Sequence, residues 1–71
     1  MAIRKEQLDL WCFDGYYQFR TFKVTDGHKK IWYIAEPVNH GATRLGDTLE
    51  ELKEKLEKDI PILNRFLQKT R

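Results

Sequence analysis

Two Asp-Gly dipeptides, Asp14-Gly15 and Asp26-Gly27, constrain this chain more than any other feature. Asp-Gly tolerates the positive φ that a two-residue type I′ turn needs at both centres, and each dipeptide lies between runs rich in aromatic and β-branched residues. The pattern predicts two consecutive hairpins, hence an antiparallel meander. A two-residue loop also fixes register. Around Asp14-Gly15, Cys12 would face Tyr17, Leu10 would face Phe19, Asp9 would face Arg20 and Leu8 would face Thr21. Around Asp26-Gly27, Phe22 would face Ile31, Thr21 would face Trp32, Arg20 would face Tyr33 and Phe19 would face Ile34.

The two registers agree on the faces. One collects Leu8, Leu10, Cys12, Tyr17, Phe19, Thr21, Trp32 and Ile34, and is the expected core face. The other collects Asp9, Trp11, Phe13, Tyr16, Gln18, Arg20, Phe22, Ile31 and Tyr33, and is mixed but strongly aromatic. A one-residue slip would scramble both sets.

Residues 3–13 fit a strand or a helix; the alternation Leu8-Asp9-Leu10 favours the strand. Glu36-Pro37 ends the third strand, because proline cannot donate to a ladder. Val38-Asn39-His40-Gly41 reads as a turn, and Thr43-Arg44-Leu45 has room for a short strand. Thr48-Leu49-Glu50-Glu51 is a capping box, with Asp47 as an alternative cap. It opens an amphipathic helix with a stripe of Leu49, Leu52, Leu56 and Ile60 and with Glu51–Lys55 and Glu54–Lys58 pairs. Pro61 is expected to kink or end that helix near Asp59, or to start a second short one, with the stripe continuing through Leu63 and Leu67 beside Phe66. The expected fold is α+β: one domain over residues 1–71, a three-stranded antiparallel meander packed on one face by a C-terminal amphipathic helix kinked or broken near Pro61. Its core would hold Leu8, Leu10, Phe19, Trp32, Ile34, Leu49, Leu52 and Leu56.

Seventy-one residues lie near the lower limit for a domain without staples, and the lone Cys12 forms no intrachain disulfide. A single thiol, no signal-peptide apolar run and no stretch approaching the roughly 20 apolar residues of a membrane span together predict a cytoplasmic protein without a membrane partner. Net charge is +2, unevenly spread: residues 1–46 carry seven Lys/Arg against five Asp/Glu, 47–60 three against six, and 61–71 three against none. An anion site therefore belongs on the sheet or the tail of Arg65, Lys69 and Arg71, away from the acidic helix.

No enzyme is expected. His28, His40 and Cys12 lack zinc spacing, no nucleophile motif or phosphate-cradling glycine loop is present, and Lys53, Lys55 and Lys58 alternate with the helix carboxylates as on a solvated face. No cofactor, metal or small-molecule substrate is implied. Binding remains. The outer-face aromatics Trp11, Phe13, Tyr16, Phe22 and Tyr33 exceed what one helix can cover and suit a partner protein or a second copy. Lys23 is expected opposite Lys30, with Lys29 beside them, near the second hairpin tip.

Residues 16–59 resemble the small three-stranded-sheet-plus-helix DNA-binding domains at the N-termini of some phage and transposon integrases. The matching features are Tyr16 to Val24, the Lys30 to Glu36 strand and Thr48-Leu49-Glu50-Glu51-Leu52 opening the helix. In that family the sheet enters the major groove, which the resemblance extends here to Arg20, Lys23, Lys30 and Arg44. The chain is also similar to double-stranded-RNA-binding domains if residues 3–13 are helical and 43–45 a strand, but Glu50 and Glu51 stand where that family has a basic cluster. Its general look is similar to accessory proteins of phages and other mobile elements.

Two roles follow as expectations. One is a nucleic-acid-binding module using Arg20, Lys23, Lys29, Lys30 and Arg44, with DNA as partner and the aromatics as a stacking surface for single strands. The other is a protein-interaction module or inhibitor acting through the aromatic face or the segment from Ile60 to Leu67, with homodimerisation as a further expectation.

Overall fold

The computed structural model describes residues 3–69, with side chains described as far as Leu67. Strands β1 (Arg4–Phe13), β2 (Tyr17–Thr25), β3 (Ile31–Pro37) and β4 (Arg44–Gly46) precede one helix, α1 (Leu49–Lys69). The sheet is antiparallel in the order β1-β2-β3-β4. It therefore has four strands, not the expected three. After Pro37 the chain turns back along the free edge of β3, where Gly46 faces Tyr33, Leu45 faces Ile34 and Arg44 faces Ala35.

Both hairpins form, but neither keeps the expected register. At the first, Asp14 (φ 55°) and Gly15 (φ 64°) make the tight turn, closed by the Tyr16 N–H on the Phe13 carbonyl at 3.0 Å. Tyr16 is then left out of the ladder, so Phe13 faces Tyr17 and Trp11 faces Phe19. A bulge at Leu8-Asp9 absorbs the offset, and from Gln7 (facing Phe22) back to Arg4 (facing Thr25) the pairing is that of a two-residue loop. Thr21 secures the bulge by donating its hydroxyl to the Asp9 carbonyl.

At the second hairpin Asp26 is an anchor and not a turn centre. Its Oδ1 accepts the backbone N–H groups of His28 and Lys30, both at 2.8 Å, and its own N–H donates to the Lys30 carbonyl. The loop is Gly27-His28-Lys29, and the positive φ falls on Lys29 at 64°, not on Asp26 or Gly27. Phe22 then faces Ile34 where Ile31 was expected, and β3 turns over. Lys23 faces Tyr33, not Lys30.

These shifts redistribute the faces. Trp11, Phe13 and Tyr33, expected outside, pack with Tyr17, Phe19, Thr21 and Ala35 on the helix side. Leu10, Cys12, Trp32 and Ile34, expected inside, alternate with them and lie on the open side with Phe22, Val24 and Leu45. Of the expected core residues, Phe19, Leu52 and Leu56 are buried, whereas Leu10 and Leu49 are exposed.

The helix opens as its sequence requires. The Thr48 hydroxyl accepts the Glu51 N–H at 3.1 Å, and the Glu51 carboxylate reaches back to the Asp47 N–H at 2.9 Å. Gly46 lets this end sit against the sheet, since a Cβ there would lie 2.9 Å from the Leu52 backbone nitrogen. The expected break at Pro61 does not occur: α1 runs unbroken for 21 residues with Pro61 inside. Pro61 withdraws one hydrogen bond from the exposed side of the helix, while Ile60, buried, and Leu63 pin it to the core on either side.

Candidate interaction surface

The clearest concave surface lies where the β3–β4 loop meets the second half of α1. Asn39 shapes that loop. Its Oδ1 accepts the N–H groups of Gln18 and His40 at 3.2 and 3.0 Å, and its Nδ2 donates to the Tyr16 carbonyl at 2.8 Å. His40 is thereby placed over Tyr16, with ring centroids 5.5 Å apart and Nε2 2.9 Å from the phenolic oxygen. Gly41 follows at φ 117°, where a Cβ would lie 3.1 Å from the Phe19 ring and 3.5 Å from Leu63. Glycine thus brings the loop backbone down onto the core and leaves the wall above it low.

The opposite wall is helical. Leu63 turns partly into the core, while Ile62 and Phe66, four residues apart on one face, are 63% and 66% exposed. Together with His40, Gly41, Ala42, Arg44, Asp59 and Leu67 they enclose a groove of about 460 Å³. Arg44 Nε lies 3.3 Å from Asp59 Oδ2 and joins the two walls at one end. That Nε is buried and its geometry falls short of a hydrogen bond, so the link is chiefly electrostatic.

Asn64, one turn beyond Ile60, faces away from the groove toward the first hairpin, accepting from the Tyr17 hydroxyl at 2.6 Å and donating to Asp14 Oδ2 at 3.0 Å. Burial pushes the Tyr17 phenol above its ordinary value, with Tyr16 and Asp14 adding to the effect.

The cations singled out in the sequence are not gathered on one surface. Arg20 is exposed on the open side of the sheet, across from Glu36. Lys23 is half-buried on the helix side, facing Glu6 and Tyr33. Lys29 and Lys30 are exposed at the second hairpin, and Arg44 is tied to Asp59. Arg71 and the side chain of Lys69 lie outside the described residues.

Nor do the five aromatics share a face. Trp11, Phe13 and Tyr33 belong to the core side, Tyr16 is exposed beside His40, and Phe22 lies on the open side under the Lys5 ammonium, 4.3 Å from its ring centroid. The open side instead presents Phe22, Val24, Trp32, Ile34 and Leu45, with Lys5 bonded across it to Glu36 at 3.0 Å. Sequence reasoning reached the segment from Ile60 to Leu67 but missed Ile62, His40, Gly41, Ala42 and Asp59. Ile62 and Phe66, spaced i,i+4 and off the Leu52–Leu56–Ile60 stripe, were the available signal.

Among the described residues no group of three or more His, Cys, Asp or Glu side chains is placed to hold a metal ion, and no helix is long and apolar enough to cross a membrane. No family model matches the chain, and neither a curated protein nor a solved structure is significantly similar to it.

Proposed function

We propose that the protein acts by binding and not by catalysis, docking a partner protein through the groove between Gly41-Ala42 and Ile62–Phe66. One observation carries this reading. On a helix whose other large apolar residues mostly face the sheet, Ile62 and Phe66 stand exposed on the wall of a concavity. Its volume falls within the range of about 300–1,000 Å³ typical of binding pockets, and apolar anchors in such a pocket carry most of an interface's energy. The titratable groups of the groove are otherwise engaged, His40 with Tyr16 and Arg44 with Asp59, and supply no nucleophile–base pair.

Site-specific photo-crosslinking in the source cell tests the docking. A benzophenone side chain at position 62 should capture a discrete protein, and one at the exposed Cys12 on the open sheet side should not. Equal capture from both positions, or none from position 62, would refute it.

Nucleic-acid binding is a second reading. It is supported by Lys29 and Lys30, exposed together on the β2–β3 hairpin away from the groove. Labelled duplex and single-stranded DNA titrated at low salt would then bind saturably, with log affinity falling by about 0.9 per neutralised phosphate for each log unit of salt on a duplex. Loss of that binding in Lys30→Ala, without any capture from position 62, would replace the protein-docking reading.

A further inference from the structure

We infer that the groove takes a carboxylate-rich amphipathic segment of its partner, an acidic helix that places bulky apolar side chains between Phe66 and the Gly41-Ala42 wall. The inference rests on the docking reading above and adds the partner's chemistry.

Charge placement supplies the argument. At 100° per residue, the stripe of α1 on the outer flank of Ile62 and Phe66 carries Lys58 and Arg65, both exposed. The far wall carries Arg44 and His40. The helix carboxylates are elsewhere or neutralised. Glu50, Glu54 and Glu57 project from the other side of α1 by the same rotation, and Glu51 is held by the Asp47 N–H and Lys55. Asp59, the one carboxylate lining the groove, has Arg44 3.3 Å away. An apolar floor is left inside a cationic rim. The helix macrodipole favours cations only within the last turn, whereas Lys58 and Arg65 precede it.

The shape selects among anionic partners. Ile62 and Phe66 line a concavity, which accepts inserted side chains and not a flat lipid surface. Nucleic acid would leave the apolar walls without a counterpart. A second copy docked symmetrically would bring two cationic rims together. A helix with anchors at i and i+3 or i+4 and carboxylates alongside meets both requirements.

Panning a random-peptide display library on the full chain tests this. The recovered pool should favour Asp and Glu over Lys and Arg around paired aromatic or aliphatic residues. A selected peptide should bind Phe66→Asp and Arg65→Glu at least about tenfold more weakly, and Arg65→Lys almost as well as the parent. Ile62→Ala, a milder change, checks the same groove should Phe66→Asp fail to fold. Groove-dependent peptides without acidic bias would overturn the inference and leave the docking reading standing. No groove-dependent peptides would overturn both. Phe66-dependent binding to phosphatidylserine vesicles, or a Phe66-dependent dimer in sedimentation, would reassign the groove to a membrane or to a second copy.

Discussion

The Tyr17 hydroxyl donates to Asn64 Oδ1 at 2.6 Å, tying the first residue of β2 to the helix beyond Pro61. The same amide donates to Asp14, so one side chain joins the first hairpin turn, the core and the second half of α1. Asn64→Ala should lower the urea midpoint without changing the slope, and amide exchange should speed up most after Pro61. An unchanged midpoint would show that the helix needs no such fastening.

Tyr17 also sets an alkaline limit. Burial raises its folded-state value above the ordinary tyrosine value of 10.0. A raised folded value contributes stability that is fully present below the unfolded value and is lost as pH rises through the folded one. Melting temperature should therefore fall in the alkaline range above about pH 10, and Tyr17→Phe should flatten that part of the curve. An identical alkaline decline in Tyr17→Phe would assign it to other groups.

Thr21 is fully buried, and its hydroxyl is the partner of the Asp9 carbonyl in the β1 bulge. Thr21→Val keeps the shape and removes the donor, so it should cost about 1–3 kcal/mol, read by chemical denaturation. A neutral result would mean that the Asp9 carbonyl finds water instead.

That bulge shows why the faces were only half legible in the sequence. The turns, the strand after Pro37 and the capping box at Thr48 are local chemistry, and each is found where its residues place it. Register is not local. Whether Asp26 serves as a turn centre or as the acceptor for the His28 and Lys30 N–H groups depends on which ladder wins, and the second choice turns β3 over. Leu8-Asp9 carries no glycine or proline to announce a bulge, yet it decides that Trp11 and Phe13 pack inward while Leu10 and Cys12 do not. The groove was legible on its helical side, through Ile60 to Leu67, and illegible on its loop side. There Asn39, His40 and Gly41 acquire meaning only once Tyr16 and Phe19 lie beneath them.

Gly46 should be as intolerant as any core residue. A Cβ there meets the Leu52 backbone at 2.9 to 3.1 Å, and backbone cannot rotate aside. Gly46→Ala should lift the start of α1 from β4 at a cost of about 1–3 kcal/mol, comparable with the low end of the roughly 2–5 kcal/mol expected for Leu52→Ala. Thermal melts of both variants check the comparison, and a Gly46→Ala protein as stable as the parent would show that the helix start is free to move.

Ile62 and Phe66 should behave in the opposite way. They are large and apolar, and in a chain this small every such side chain is in demand for the core, yet they stand 63% and 66% exposed while Leu52 and Leu56 on the same helix are fully buried. Folding alone gains little from them. Ile62→Ala and Phe66→Ala should each stay within about 0.5 kcal/mol of the parent, as surface substitutions do, whereas Leu56→Ala should lose about 2–5 kcal/mol. Denaturation midpoints measured side by side decide the matter. Losses at Ile62 and Phe66 matching that at Leu56 would mean that the two side chains close over the core in solution, leaving no apolar wall for a partner to meet.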